Sequence, residues 1–188
     1  MSGFPLVKSV RGFTLIEVMV TILILAVGLL GVAGMHSRML SGQLEAYQRA
    51  TAVQLVGDMA NRVRSSPLDA RLGTYGAGGD YGLVTQDCVG KLGVEADKCE
   101  WSQALFGASV TSGAQQLGSI IGARGCIENI SGTGAGSKDV AVIRITVAWQ
   151  GLAPTAAPAS ACGAGEYGVD DSYRRTTSVD VTLAYLGI

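Results

Sequence analysis

The chain has 188 residues, 27 of them glycine, with 14 basic and 15 acidic side chains and a single histidine. That length suits one ordinary domain, not several, and a net charge of −1 excludes the broad basic footprint of a nucleic-acid-binding surface. The four cysteines hold no C-x-x-C pair; their even number and wide spacing fit disulfides in an oxidising compartment and lack the close ligand pairs of structural zinc.

Residues 1–12 are short and carry Lys8 and Arg11. Residues 13–35 then form an apolar run that, as a helix rising about 1.5 Å per residue, is roughly 34 Å long and spans a bilayer core of about 30 Å. The basic flank keeps the N-terminus cytoplasmic and sends the remainder outward. A secretory signal peptide would have a shorter apolar region followed by a small-residue cleavage site; here the sequence after His36 continues as helix. A plain anchor does not explain Glu17. A carboxylate in a membrane helix costs several kcal/mol without a partner and marks function by default, and no cation lies near it on its own helix. Thr14 and Thr21 read as hydroxyls bonded back to helix carbonyls. Gly28, Gly31 and Gly34 allow close helix approach and weaken the helix by about 1 kcal/mol each relative to alanine.

The spacing predicts one helix over 14–65. Leu40, Leu44, Tyr47, Thr51, Leu55 and Met59 recur at three and four, Val56 and Val63 widen that face, and Arg38, Glu45, Gln48, Arg49, Asp58 and Arg62 are polar and mostly lie elsewhere. Ser65-Ser66-Pro67 breaks the helix. Residues 67–115 read as irregular, with Trp101 packing near Cys88 and Cys99 and a short helical turn at 101–107. Strands follow at 124–130, at 140–149, where Val140, Val142, Ile145 and Val147 alternate with Arg144 and Thr146, and at 175–186, with Val179, Val181 and Leu183 on one face. The 151–172 stretch is a Gly/Ala/Pro-rich loop holding Cys162. Of the three connectivities open to four cysteines, Cys88–Cys99 with Cys126–Cys162 is preferred; the sequence leaves all three open.

Gly12-Phe13-Thr14-Leu15-Ile16-Glu17, after a basic leader and before a long apolar helix, resembles the prepilin cleavage motif of type IV pilins and type II secretion pseudopilins. The resemblance implies that residues 1–12 are a leader, that a membrane prepilin peptidase cuts between Gly12 and Phe13, and that Phe13 becomes the methylated N-terminus. It implies that Glu17 pairs with the N-terminal amine of a neighbouring subunit, fixing register as a buried charge does when only one alignment supplies its partner; pairing with its own amine is the weaker reading. Residues 28–34 are expected either to melt on assembly or to pack closely. The implied fold is α+β and pilin-like: residues 13–35 are the membrane or filament-core half of the helix, 36–66 its amphipathic half, and 67–188 a head with a small antiparallel sheet.

No catalytic constellation stands out. Residues 132–138 resemble a phosphate loop but lack the ordered Gly-Lys-Ser/Thr, and a strand follows where a helix is needed. His36 is too remote to build a serine-histidine-acid site, and Asp80, Asp170 and Asp171 lack calcium-loop spacing. The reading is therefore a non-enzyme without cofactor or metal. The resemblance is strongest to minor pilins of the PilV kind. Such subunits are implied to join other minor pilins and the major pilin, to prime pilus assembly, to present a tip adhesin, and to support adhesion and twitching motility. They wait in the inner membrane, heads periplasmic, and end at the cell surface. A type II secretion minor pseudopilin is the alternative, disfavoured because the small pseudopilin closest in helix sequence is usually shorter. A membrane-anchored periplasmic binding module is the alternative from another class.

Overall fold

A computed structural model describes residues 12–76, 79–108, 111–112, 115–116, 120–185 and 187; the leader cations Lys8 and Arg11 lie outside them. The chain is α+β, a long N-terminal helix and a small three-stranded antiparallel sheet of pilin-like type. Its contacts divide it into two compact units, one ending at Gly42 and one beginning at Gln43.

Helix α1 runs Leu15–Ser65 without interruption. Every side chain described from residue 12 to residue 44 is exposed. Burial starts at Gln48 and recurs at Ala52, Val56, Met59, Ala60 and Val63, a stripe at helical spacing. This corrects the expected face. Leu40, Leu44 and Tyr47 point outward, and Gln48, expected among the polar positions, is buried. Val56, Met59 and Val63 are buried as expected, and Ala52 and Ala60 complete the contact face.

The helix ends at Ser65, whose Oγ donates to the Arg62 carbonyl at 2.7 Å. The segment 67–115, expected to be irregular, is so at residues 79–93 but holds two α-helices. Pro67 stands at the first position of α2, Pro67–Leu72, where its missing N–H is no loss. Gly73 closes α2 in the left-handed conformation at φ 84°, its N–H bonded to the Ala70 carbonyl. The expected turn at 101–107 is instead the second half of α3, Val94–Ala108. Two-residue strands β1, Thr111–Ser112, and β2, Gln115–Gln116, pair antiparallel.

The main sheet is β3, Ile121–Ser131; β4, Ala141–Gln150; and β5, Arg174–Leu183, in the order β3-β4-β5 and antiparallel throughout. Residues 132–140 connect β3 to β4, and Gly132 is obligatory there: at φ 66° an added Cβ would lie 2.1 Å from the Val140 carbonyl oxygen. On β4 the buried inner set is Ile143, Ile145, Val147 and Trp149, offset from the expected face, and Val140 lies exposed before the strand. Val179, Val181 and Leu183 share one face, as expected: Val181 is fully buried, Leu183 packs partly, and Val179, opposite Ile145, is partly exposed.

One core joins the α1 stripe, Ala70, Tyr75, Tyr81, Trp101, Leu105 and the inner sheet face. Trp101 donates from Nε1 to the Leu55 carbonyl at 2.8 Å, tying α3 to α1. Its ring sits over Gly125, where an added Cβ would lie 2.3 Å from the indole. Gly125 and Tyr81 exchange both backbone hydrogen bonds, at 2.8 and 2.9 Å, and so occupy part of the β3 edge. On the outer face a second cluster of Ala148, Cys162 and Tyr167 is covered by the 151–172 loop. Cys126–Cys162 anchors that loop to the middle of β3, and Cys88–Cys99 joins the preceding loop to α3.

Candidate assembly segment

The first turn of α1 is built by its own sequence. Thr14 precedes the helix, and its Oγ1 accepts the Glu17 N–H at 3.3 Å while its carbonyl accepts the same N–H at 3.1 Å. Thr14 is thus the N-cap, not a threonine bonded back into the helix, and Glu17 stands three residues on, where a carboxylate favours the helix dipole. The Thr-x-x-Glu spacing that signals a capping box is present in the sequence at residues 14–17. Thr21 does bond back, its Oγ1 donating to the Val18 carbonyl at 2.8 Å.

Phe13, Leu15, Ile16 and the aliphatic side chains through Met35 are exposed all round the helix. Glu17 is the one acidic residue among residues 13–35. Gly28, Gly31 and Gly34 lie within unbroken helix, and an added Cβ at any of them would meet nothing within 4 Å. Their surface is open to a neighbour. Leu15–Ser65 is long and apolar enough to cross a membrane. A shape this apolar and this unburied is stable only in lipid or against other apolar helices.

Residues 7–33 match the prokaryotic N-terminal methylation motif. The chain therefore carries the leader-and-helix segment of type IV pilins and pseudopilins, a motif of structural subunits processed by a prepilin peptidase. The match covers Lys8, Arg11, Gly12, Phe13, Glu17, Gly28 and Gly31, and it ends one residue short of Gly34. No curated protein and no solved structure matches the chain.

The other sequence candidates are scattered. His36 is on the exposed part of α1. Residues 132–138 are the β3–β4 turn. Asp171 accepts the Gly165 N–H at 2.8 Å, which holds its carboxyl below the usual range, and lies 3.2 Å from Arg174. Asp80 lies 3.6 Å from Arg124. Among the described residues no group of His, Cys, Asp or Glu is arranged to hold a metal.

The charged groups instead bind the head together. Arg62 reaches Asp58, Asp97 and Glu100 at 3.1, 3.2 and 2.7 Å, linking α1 to α3. Burial would lower its pKa, but the three carboxylates outweigh that and raise it. Tyr75 donates to Asp97 at 2.6 Å; burial first, then that carboxylate, push its phenol up to about 12. Arg175 donates to Glu45 at 2.9 Å and to the Ala153 carbonyl at 2.7 Å, so α1, β5 and the 151–172 loop meet on one guanidinium. Sequence reasoning missed these three hubs, because partners distant in sequence leave no spacing to read.

Proposed function

We propose that the chain is a filament subunit, made as a prepilin, cut between Gly12 and Phe13, methylated at Phe13, and assembled through its apolar helix with Glu17 meeting the N-terminal amine of a neighbour. Within that class it is a minor pilin, joining other minor pilins and the major pilin to prime pilus assembly and present the tip and its adhesin, in support of adhesion and twitching motility. The observation that carries the reading is one carboxylate, Glu17, set within a methylation motif on the stretch of helix up to Met35, which holds no other charge and is exposed on every side. An isolated anchor gains nothing from that charge. A bundle of such helices does, because the amine freed by cleavage is the cation the helix lacks, and the two can meet only in one register. Gly28, Gly31 and Gly34 then serve close packing or local melting in the bundle, and Lys8 and Arg11 orient the precursor with its head in the periplasm.

The test is intact mass spectrometry, without reduction, of the protein from shear-purified filaments. A mass that begins at Phe13 with one added methyl is expected. Full-length or mature protein that stays in the membrane and never enters filaments would overturn the reading and favour a membrane-anchored periplasmic module. Recovery with a secretion pseudopilus and not with pili would reassign the subunit to type II secretion.

A further inference from the structure

The place where α1 begins bears on the bond at which the leader would end. Thr14 Oγ1 accepts the Glu17 N–H at 3.3 Å, and the Thr14 carbonyl accepts the Val18 N–H at 3.3 Å. The first bond caps the third helical residue, and the second is the first rung of the α-helical ladder. The helix therefore starts at Leu15, and residues 12–14 stand outside it. Phe13 is 83% exposed. Gly12 is exposed too, and an added Cβ there would meet nothing within 4 Å, so packing does not ask for glycine at this position. What glycine does there is weaken any helix that runs through it.

An alternative start lies close by in the chain. Ser9 is the next residue upstream of a type that caps helices well. A helix begun from Ser9 would take Gly12 and Phe13 into its first turn, with the Phe13 N–H bonded to the Ser9 carbonyl. A peptidase reaches a peptide bond in such a turn only after the turn opens. With Thr14 as the cap, the Gly12–Phe13 bond is already outside the helix.

We propose, on the reading that the leader is removed after Gly12, that Thr14 is a positioning residue for that cleavage. Its hydroxyl acts through the backbone: it fixes the helix start beyond Phe13 and so presents the Gly12–Phe13 bond in non-helical chain. Cleavage adds water across that amide. The bond from the Gly12 carbonyl carbon to the Phe13 nitrogen breaks, Gly12 is left as a carboxylate, and Phe13 is left with a protonated amine. Thr14, Glu17 and Val18 all lie on the Phe13 side of the cut, so the same cap serves the mature helix.

The experiment follows leader loss by intact mass in the full-length precursor, held in detergent micelles and mixed with membranes that contain a prepilin peptidase. Thr14→Val keeps the shape and the intrinsic helix propensity and removes the acceptor. It should slow leader loss by up to about fivefold, the scale of one lost cap. Helix ends exchange within about a microsecond, so the rate of cutting follows the fraction of open chain. Thr14→Ser and Thr14→Asn both supply a cap and should be cut at the wild-type rate or faster. Hydrogen exchange at the Phe13 amide, read without peptidase, should slow in Thr14→Val and in neither other variant. Retention of both disulfides by mass shows that each variant is folded. Cutting of Thr14→Val at the wild-type rate would overturn the role of the cap. So would rescue by serine but not by asparagine, which marks a hydroxyl read directly by the peptidase, and so would slower cutting with unchanged Phe13 exchange. Wild-type precursor that keeps its leader is a different failure: it would overturn the prepilin reading itself, and this role with it.

Discussion

Thr14 and Glu17 show how one short spacing serves two purposes. The hydroxyl caps the helix start, and the carboxylate lies in the first turn, close to where cleavage after Gly12 would leave an amine. Glu17→Gln keeps the shape and removes the charge. It should leave cleavage intact and reduce recovery in sheared filaments by at least about tenfold, since an unmatched buried charge or amine is worth several kcal/mol; blots of sheared and membrane fractions read this directly, and equal incorporation would sink the register role. Gly125→Ala drives a methyl into Trp101 and should destabilise the protein by about 1–3 kcal/mol in denaturant melts of the detergent-solubilised chain. Tyr75 makes an alkaline prediction. Its phenol is raised to about 12 in the fold against about 10 unfolded, so its contribution is fully present below about pH 10 and is lost as pH rises toward 12. Tyr75→Phe should flatten the fall in melting temperature over that window. Tyr81 and Tyr167, raised by their burial, leave a remaining slope.

At the scale of elements, α1 carries its two halves by different means. Up to residue 44 it is exposed surface; beyond that, Ala52, Val56, Met59, Ala60 and Val63 join the core, and Glu45 and Arg62 make ion pairs to β5 and α3. The two disulfides act on loops of different length, with separations of 11 and 36 residues. Closing the longer loop removes more freedom from the unfolded chain, so losing Cys126–Cys162 by double serine substitution should cost about 1 kcal/mol more than losing Cys88–Cys99, each typically within 2–4 kcal/mol. The midpoints of urea unfolding for the two variants test the order. Reversal would mean that Cys88–Cys99, beside Trp101, supports packing beyond its loop.

At the scale of the molecule, a membrane-competent helix and a folded unit lie in one chain. Residues 7–33 match a known motif, and the two parts of the chain are under different physical constraints. A helix able to cross a membrane must stay apolar for about 20 residues, which constrains residues 13–35 to one pattern. A head needs only a core and a surface, which many sequences satisfy.

The sequence by itself determined the helix, because an apolar run followed by a 3.6-residue pattern admits little else, and it determined the strand regions from their β-branched alternation. It also carried the leader motif and Glu17, which are local in the chain. Tertiary structure alone decided which face of the helix is buried, because alanines at 52 and 60 look neutral until a sheet lies against them. It decided that residues 94–108 form a full helix, whose Gly- and polar-rich surroundings mask a buried face of Trp101 and Leu105. It selected one disulfide connectivity from three, and it brought Arg62 and Arg175 to partners far away in the chain. Such contacts are set by distance in space, and spacing along the sequence encodes only neighbours within a turn or a strand.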